Sequence, residues 1–151
     1  MRFYQADEFR DGQWRANGNN GFFYDDFADT TIHPDWYNYT GQGSWSVSGN
    51  ELLQSNETKN NAKIYAGLTQ NNEAYLYSMK MKITGSGNNR KAGLHLFAGS
   101  DDPVNNPHRG KSYLVLVNRD SSQVELYKTK VSGGVNTISL EKTITGIAID
   151  G

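Results

Sequence analysis

Four segments lie close together between Ala74 and Lys128: AYLYSMKMKI (74–83), KAGLHLFAGS (91–100), SYLVLVN (112–118) and QVELYK (123–128). In the first, Tyr75, Tyr77, Met79, Met81 and Ile83 alternate with Ser78, Lys80, Lys82 and Thr84. Successive side chains of a strand point to opposite faces, so this alternation predicts a strand with one dry and one wet side. The next segment follows across Gly85-Ser86-Gly87-Asn88-Asn89, residues that tolerate positive φ. Three or four consecutive strands joined by short turns form an antiparallel sheet.

Working outward, residues 1–21 read as a polar tail or linker, broken by Asp11-Gly12 and by the Asn17 to Gly21 cluster. Residues 22–151 read as the domain. Phe22-Phe23-Tyr24-Asp25-Asp26-Phe27 opens it, and residues 28–39 form a loop bearing Trp36, Tyr37 and Tyr39. Residues 43–53 predict a hairpin: Trp45 and Val47 share a face, Gly49-Asn50 turns the chain, and Leu52 or Leu53 returns. Ala62 to Leu68 is a short strand. After Lys128 come two short β-branched runs, 131–140 and 143–149, the first holding a Gly-Gly loop. No stretch carries apolar residues at three- and four-residue spacing. Many short strands between turn signals predict an all-β, antiparallel two-sheet sandwich.

Composition narrows the function. The net charge of −1 gives no electrostatic pull toward nucleic acid, and no apolar run reaches the roughly 18 residues of a membrane-spanning helix. The absence of cysteine excludes disulfides, thiolate metal sites and a cysteine nucleophile. The first residues have no apolar core of a signal peptide. Either the protein is cytosolic, or this is an internal piece of a longer exported chain. Abundant Gly, Asn, Ser and Thr favour the second, an extracellular or cell-surface location.

Residues 24–27 (Tyr-Asp-Asp-Phe), Trp36, and Gly43-Ser44-Trp45-Ser46-Val47-Ser48-Gly49-Asn50-Glu51-Leu52 together resemble the opening of concanavalin A-like jelly-roll modules, the laminin-G-like and related glycan-binding domains. Ala92 to Ala98, Lys111 to Val117 and Val124 to Lys128 resemble the strands that follow. The resemblance covers residues 22–151 and implies a jelly-roll topology and a carbohydrate ligand. Such modules continue with a further hairpin where this sequence ends. The resemblance therefore implies an incomplete C-terminus, with either residues 1–23 or a partner chain in its place, or an open strand edge. An open edge predicts self-association.

The enzymes of this family use carboxylates at alternate positions of one strand. No such run occurs: Asp25 and Asp26 are adjacent and point to opposite faces, and Glu125 stands alone among apolar neighbours. There is no Gly-x-Ser-x-Gly elbow, and His33, His95 and His108 are scattered. The expectation is a non-catalytic carbohydrate-binding or adhesion module of a larger protein. Its alternatives are a structural or protein-interaction module that associates through a strand edge, and a fragment of a glycan-active hydrolase. Sugars stack on exposed aromatic rings while polar groups bond their hydroxyls. This singles out Trp36, Tyr39, His95, His108 and Arg109 as candidate contacts. For Trp36 the alternative is packing; for His95, a plain sheet-face position. A structural calcium ion on Asp25, Asp101 and Asp102 is weighed against no cofactor, because hard cations seek carboxylate oxygens in loops.

Overall fold

The computed structural model describes residues 8–10, 13–15, 23–38, 43–60, 62–68, 74–98, 111–132 and 135–149. All regular structure among them is β: ten strands in antiparallel ladders, with no helix. Contacts fall into two units, residues 1–77 and 78–151.

The first unit is built of two-stranded pieces. β1 (Glu8–Arg10) pairs with β2 (Gln13–Arg15), so the expected polar tail holds a hairpin. β3 (Trp36–Asn38) pairs with β6 (Ile64–Ala66), so part of the expected 28–39 loop is a strand. β4 (Trp45–Ser48) and β5 (Glu51–Gln54) form the expected hairpin. Gly49 and Asn50 both adopt left-handed φ, 60° and 61°, the geometry a two-residue turn needs to match strand twist. Val47 pairs with Leu52, which is half-buried, whereas Leu53 faces out. Gly43 precedes the hairpin at φ 120°. A Cβ there would lie 2.9 Å from Trp45 Nε1 and 3.0 Å from Ala62 Cβ, so this position has neither the conformation nor the room for a side chain.

The second unit is one four-stranded meander in the order β10-β9-β8-β7. β8 (Ser112–Asn118) and β9 (Gln123–Ser132) contain the strands read at 112–118 and 123–128, whereas β7 (Lys91–Leu96) is shorter than the 91–100 segment, because Phe97 turns to φ 57°. The edge strand β10 (Val135–Thr145) replaces the two short runs expected after Lys128. Its pairing with β9 slips one residue between Leu140 and Lys142. That bulge shifts the inward-outward phase, which is why one long strand reads as two short runs. Gly85, Gly87 and Asn89 take the positive φ expected of the 85–89 loop.

The first of the four quoted segments departs from expectation. Residues 74–84 enter no ladder among the described residues. Tyr75, Tyr77 and Ile83 are half-buried, but Met79 and Met81 are exposed, so the anticipated dry face is only partly realised.

On one face of the meander lie Ala92, Leu94 and Leu96, then Tyr113, Val115 and Val117, then Val124 and Leu126. All but Tyr113 are half-buried. The largest fully buried side chain among the described residues is Thr129, which lies on the other face. A sheet face this apolar and this incompletely covered is what one layer of a sandwich presents.

Candidate functional site

The polar face of the meander is held together by its own side chains. The register sets Lys91 opposite Asn118 and Leu116 opposite Glu125, which brings Lys91, Asn118, Glu125 and Tyr127 onto one face. Glu125 is 6% exposed and its carboxylate accepts four hydrogen bonds. Lys91 Nζ donates to both oxygens at 3.1 and 2.9 Å, Tyr127 Oη at 2.6 Å and Asn118 Nδ2 at 3.2 Å. Burial alone would raise the Glu125 pKa. The donors from Lys91, Tyr127 and Asn118 outweigh it and hold the carboxyl below its ordinary range. The same hydrogen bond raises Lys91, against the opposing effect of burial, and it raises Tyr127 together with burial. Glu125 is therefore a satisfied structural anion, and the solitary residue read from its neighbours in sequence has partners from three strands.

At the other end of this face His95 Nε2 lies 2.6 Å from Ser112 Oγ, and Ser112 Oγ lies 2.5 Å from Thr129 Oγ1. The Ser112 amide also donates to Thr129 Oγ1 at 3.0 Å. A serine beside a histidine has the components of a nucleophile and its base. Here Ser112 is 3% exposed and shares its hydroxyl with Thr129, so the pair serves the packing of β8 on β9. A third clamp closes the turn between these strands. Arg90 holds Asp120 through its amide at 2.6 Å and its guanidinium at 2.6 and 3.0 Å. These bonds, side chain first and then backbone, keep the Asp120 carboxyl below its usual range.

The opposite face ends differently. Past its apolar rows Tyr113 pairs with Lys128, and Lys130 follows two residues on along β9. Phe97 packs edge-on against Tyr113, with ring centroids 6.5 Å apart. Both rings are substantially exposed, 49% for Phe97 and 39% for Tyr113. Lys128 Nζ lies 5.9 Å from the Tyr113 ring centroid, within reach of a cation–π contact. Lys111, Ser112, Tyr113, Lys128, Thr129 and Lys130 line a shallow depression of about 280 Å³, near the lower end of ligand-site volumes. Lys111, Lys128 and Lys130 are exposed, and none pairs with a carboxylate among the described residues.

The residues singled out from sequence are dispersed. Trp36 donates its indole N–H to Asp25 Oδ2 at 2.8 Å and packs between Phe23 and Phe27, with centroids 5.0 and 5.8 Å away. Asp25 Oδ1 accepts the Phe27 amide at 2.9 Å and so holds Phe27 at φ 54°. The geometry thus gives Trp36 and Asp25 internal structural contacts. His95 faces Ser112, as above. Tyr39, Asp101, Asp102, His108 and Arg109 lie outside the described residues. Among the described residues no three His, Asp or Glu side chains gather to hold a metal ion. No described helix is long and apolar enough to cross a membrane.

Tyr113, Phe97, Lys128 and Lys130 were not singled out from sequence. The signal was present in Tyr-Lys-Thr-Lys (127–130), because residues two apart in a strand share a face. What the sequence lacks is the register that sets Lys128 against Tyr113.

No protein-family model, no curated protein and no solved structure matches this chain.

Proposed function

We propose that this chain is a non-catalytic carbohydrate-binding module of a larger exported protein, built as a jelly-roll β-sandwich. The observation that carries the reading is the exposed Phe97–Tyr113 pair beside a shallow depression rimmed by polar side chains. The apolar C–H face of a sugar ring stacks on such aromatics, while hydroxyls bond to the rim. The half-buried apolar rows of the same sheet support a second layer over them, and the resemblance of residues 22–151 to glycan-binding jelly rolls favours the same reading. The non-catalytic part rests on Glu125 and Ser112, whose functional groups are both occupied by internal hydrogen bonds.

A glycan array followed by calorimetry tests this. The chain is expected to bind at least one polysaccharide class, and Tyr113→Ala is expected to abolish that binding while leaving the melting temperature near that of the parent. Absence of binding to every glycan, or binding indifferent to Tyr113, would defeat the proposal.

One observation favours a second reading, a module that associates through a strand edge. The outer side of the eleven-residue β10 pairs with no strand among the described residues, and Ile138, Leu140 and Ile144 on it are exposed. Long exposed edges template further strands. Sedimentation at rising concentration discriminates: self-association suppressed by Ile144→Lys supports this second reading, and a monomer throughout opposes it.

A further inference from the structure

We infer that the saccharide taken by the Tyr113 depression is acidic, carrying carboxylate or sulfate groups; the inference rests on the carbohydrate-binding reading above. Three ammonium groups, those of Lys111, Lys128 and Lys130, border one depression of about 280 Å³. Like charges held together repel, and a folded protein ordinarily relieves this with interleaved carboxylates. Here none is supplied among the described residues. The contrast within the same sheet is sharp: Lys91 has Glu125 and Arg90 has Asp120, each within 3 Å. Lys91 and Arg90 are thus neutralised internally, whereas these three lysines stay exposed around one depression.

The wider charge distribution acts in the same direction. Residues 78–151 hold ten Lys and Arg against six Asp and Glu, a net +4. Residues 1–77 hold five against ten, a net −5. The near-zero charge of the whole chain therefore conceals a basic second unit, whose field concentrates anions near the depression. A cationic rim beside an aromatic pair fits a polymer with a sugar ring to stack and an anion on or next to that ring. Lys128 serves both needs, because it is set directly opposite Tyr113 in the register.

The test uses the full chain and four polymers in calorimetry: polygalacturonate, its methyl ester, dextran sulfate, and polyglutamate as an anion without sugar. Polygalacturonate or dextran sulfate is expected to bind, the tighter of the two naming the acid group, and the uncharged ester to bind at least about tenfold more weakly. The double variant Lys128→Ala/Lys130→Ala is expected to lose at least about tenfold in affinity for the acid polymer while keeping its melting temperature. Raising ionic strength from about 0.01 M to 0.15 M, which shortens the screening length from roughly 30 Å to 8 Å, is expected to weaken parent binding much more than that of the double variant. If the ester binds as tightly as the acid and the lysines prove irrelevant, the acidic inference is overturned while the carbohydrate reading stands. If neither acid polymer nor ester binds, and no other glycan does, both fall. Equal binding of polyglutamate, indifferent to Tyr113→Ala, also overturns both, since it marks plain ion exchange.

Discussion

The two faces of the β7–β10 meander carry charge in opposite ways. On one, Glu125 collects donors from Lys91, Asn118 and Tyr127, and the carboxylate at the centre of the cluster is buried with both oxygens bonded. On the other, Lys128 and Lys130 stand exposed beside Tyr113 without an anion among the described residues. A charge that costs desolvation stabilises a fold only when its partners are built in. A charge left open contributes little to the fold and remains available to a ligand. The comparison therefore assigns stability to the Glu125 face and makes the Lys128 face the one proposed for recognition.

The strongest way to break both faces together is Gly93→Ala. A Cβ at position 93 would lie 1.8 Å from the Val115 carbonyl oxygen and 2.9 Å from Leu116 Cα, atoms of the neighbouring strand's backbone that cannot swing aside. We expect a loss of about 3 kcal/mol or more in urea unfolding, with both faces disrupted. A parent-like unfolding midpoint would show that β7 and β8 do not approach so closely.

Glu125→Ala breaks one face only. It leaves the Lys91 ammonium, the Tyr127 hydroxyl and the Asn118 amide without their shared acceptor. The expected cost is about 3 kcal/mol, measured the same way, with polysaccharide binding retained in the folded fraction.

The pH profile sharpens the contrast further. The Glu125 pKa is lowered on folding, so its stabilisation is complete above its unfolded value of about 4.3 and is lost as pH falls through the depressed folded value. Asp120 acts in the same direction. Lys91 and Tyr127 are raised, so their contribution is complete below their unfolded values, near 10, and is lost as pH climbs through the folded ones. Melting temperatures should therefore form a plateau between about pH 5 and 10 and fall on both sides. In Glu125→Ala both limbs should flatten, leaving the Asp120 part of the acid limb.

The smallest stability effect belongs to the Lys128 face. Lys128→Ala/Lys130→Ala is expected to change unfolding free energy by no more than about 0.5 kcal/mol per site, as for exposed surface positions without an ion pair.

What could be read from sequence follows the range of the interactions involved. The β4–β5 hairpin was legible because Gly49-Asn50 sits between alternating segments and fixes its own register. The segments at 91–128 were legible as strands because each carries its own apolar run. Residues 74–84 have comparable alternation yet enter no ladder among the described residues, since alternation states which face prefers burial and not whether a neighbour exists. β10 reads as two runs because the bulge between Leu140 and Lys142 breaks the phase of the pattern. The site was less legible. Lys91 meets Glu125 across 34 positions of sequence, and Tyr113 meets Lys128 only through the strand pairing. In sequence Trp36 fits packing and binding equally; the Asp25 carboxylate at its indole nitrogen decides for packing.

The most direct test of the division between the two faces is a paired measurement on Lys128→Ala/Lys130→Ala: melting temperature and calorimetric affinity for an acidic polysaccharide, on the same preparation as the parent. The account predicts an unchanged melting temperature with affinity reduced at least about tenfold. Parent-like affinity at an unchanged melting temperature would contradict it.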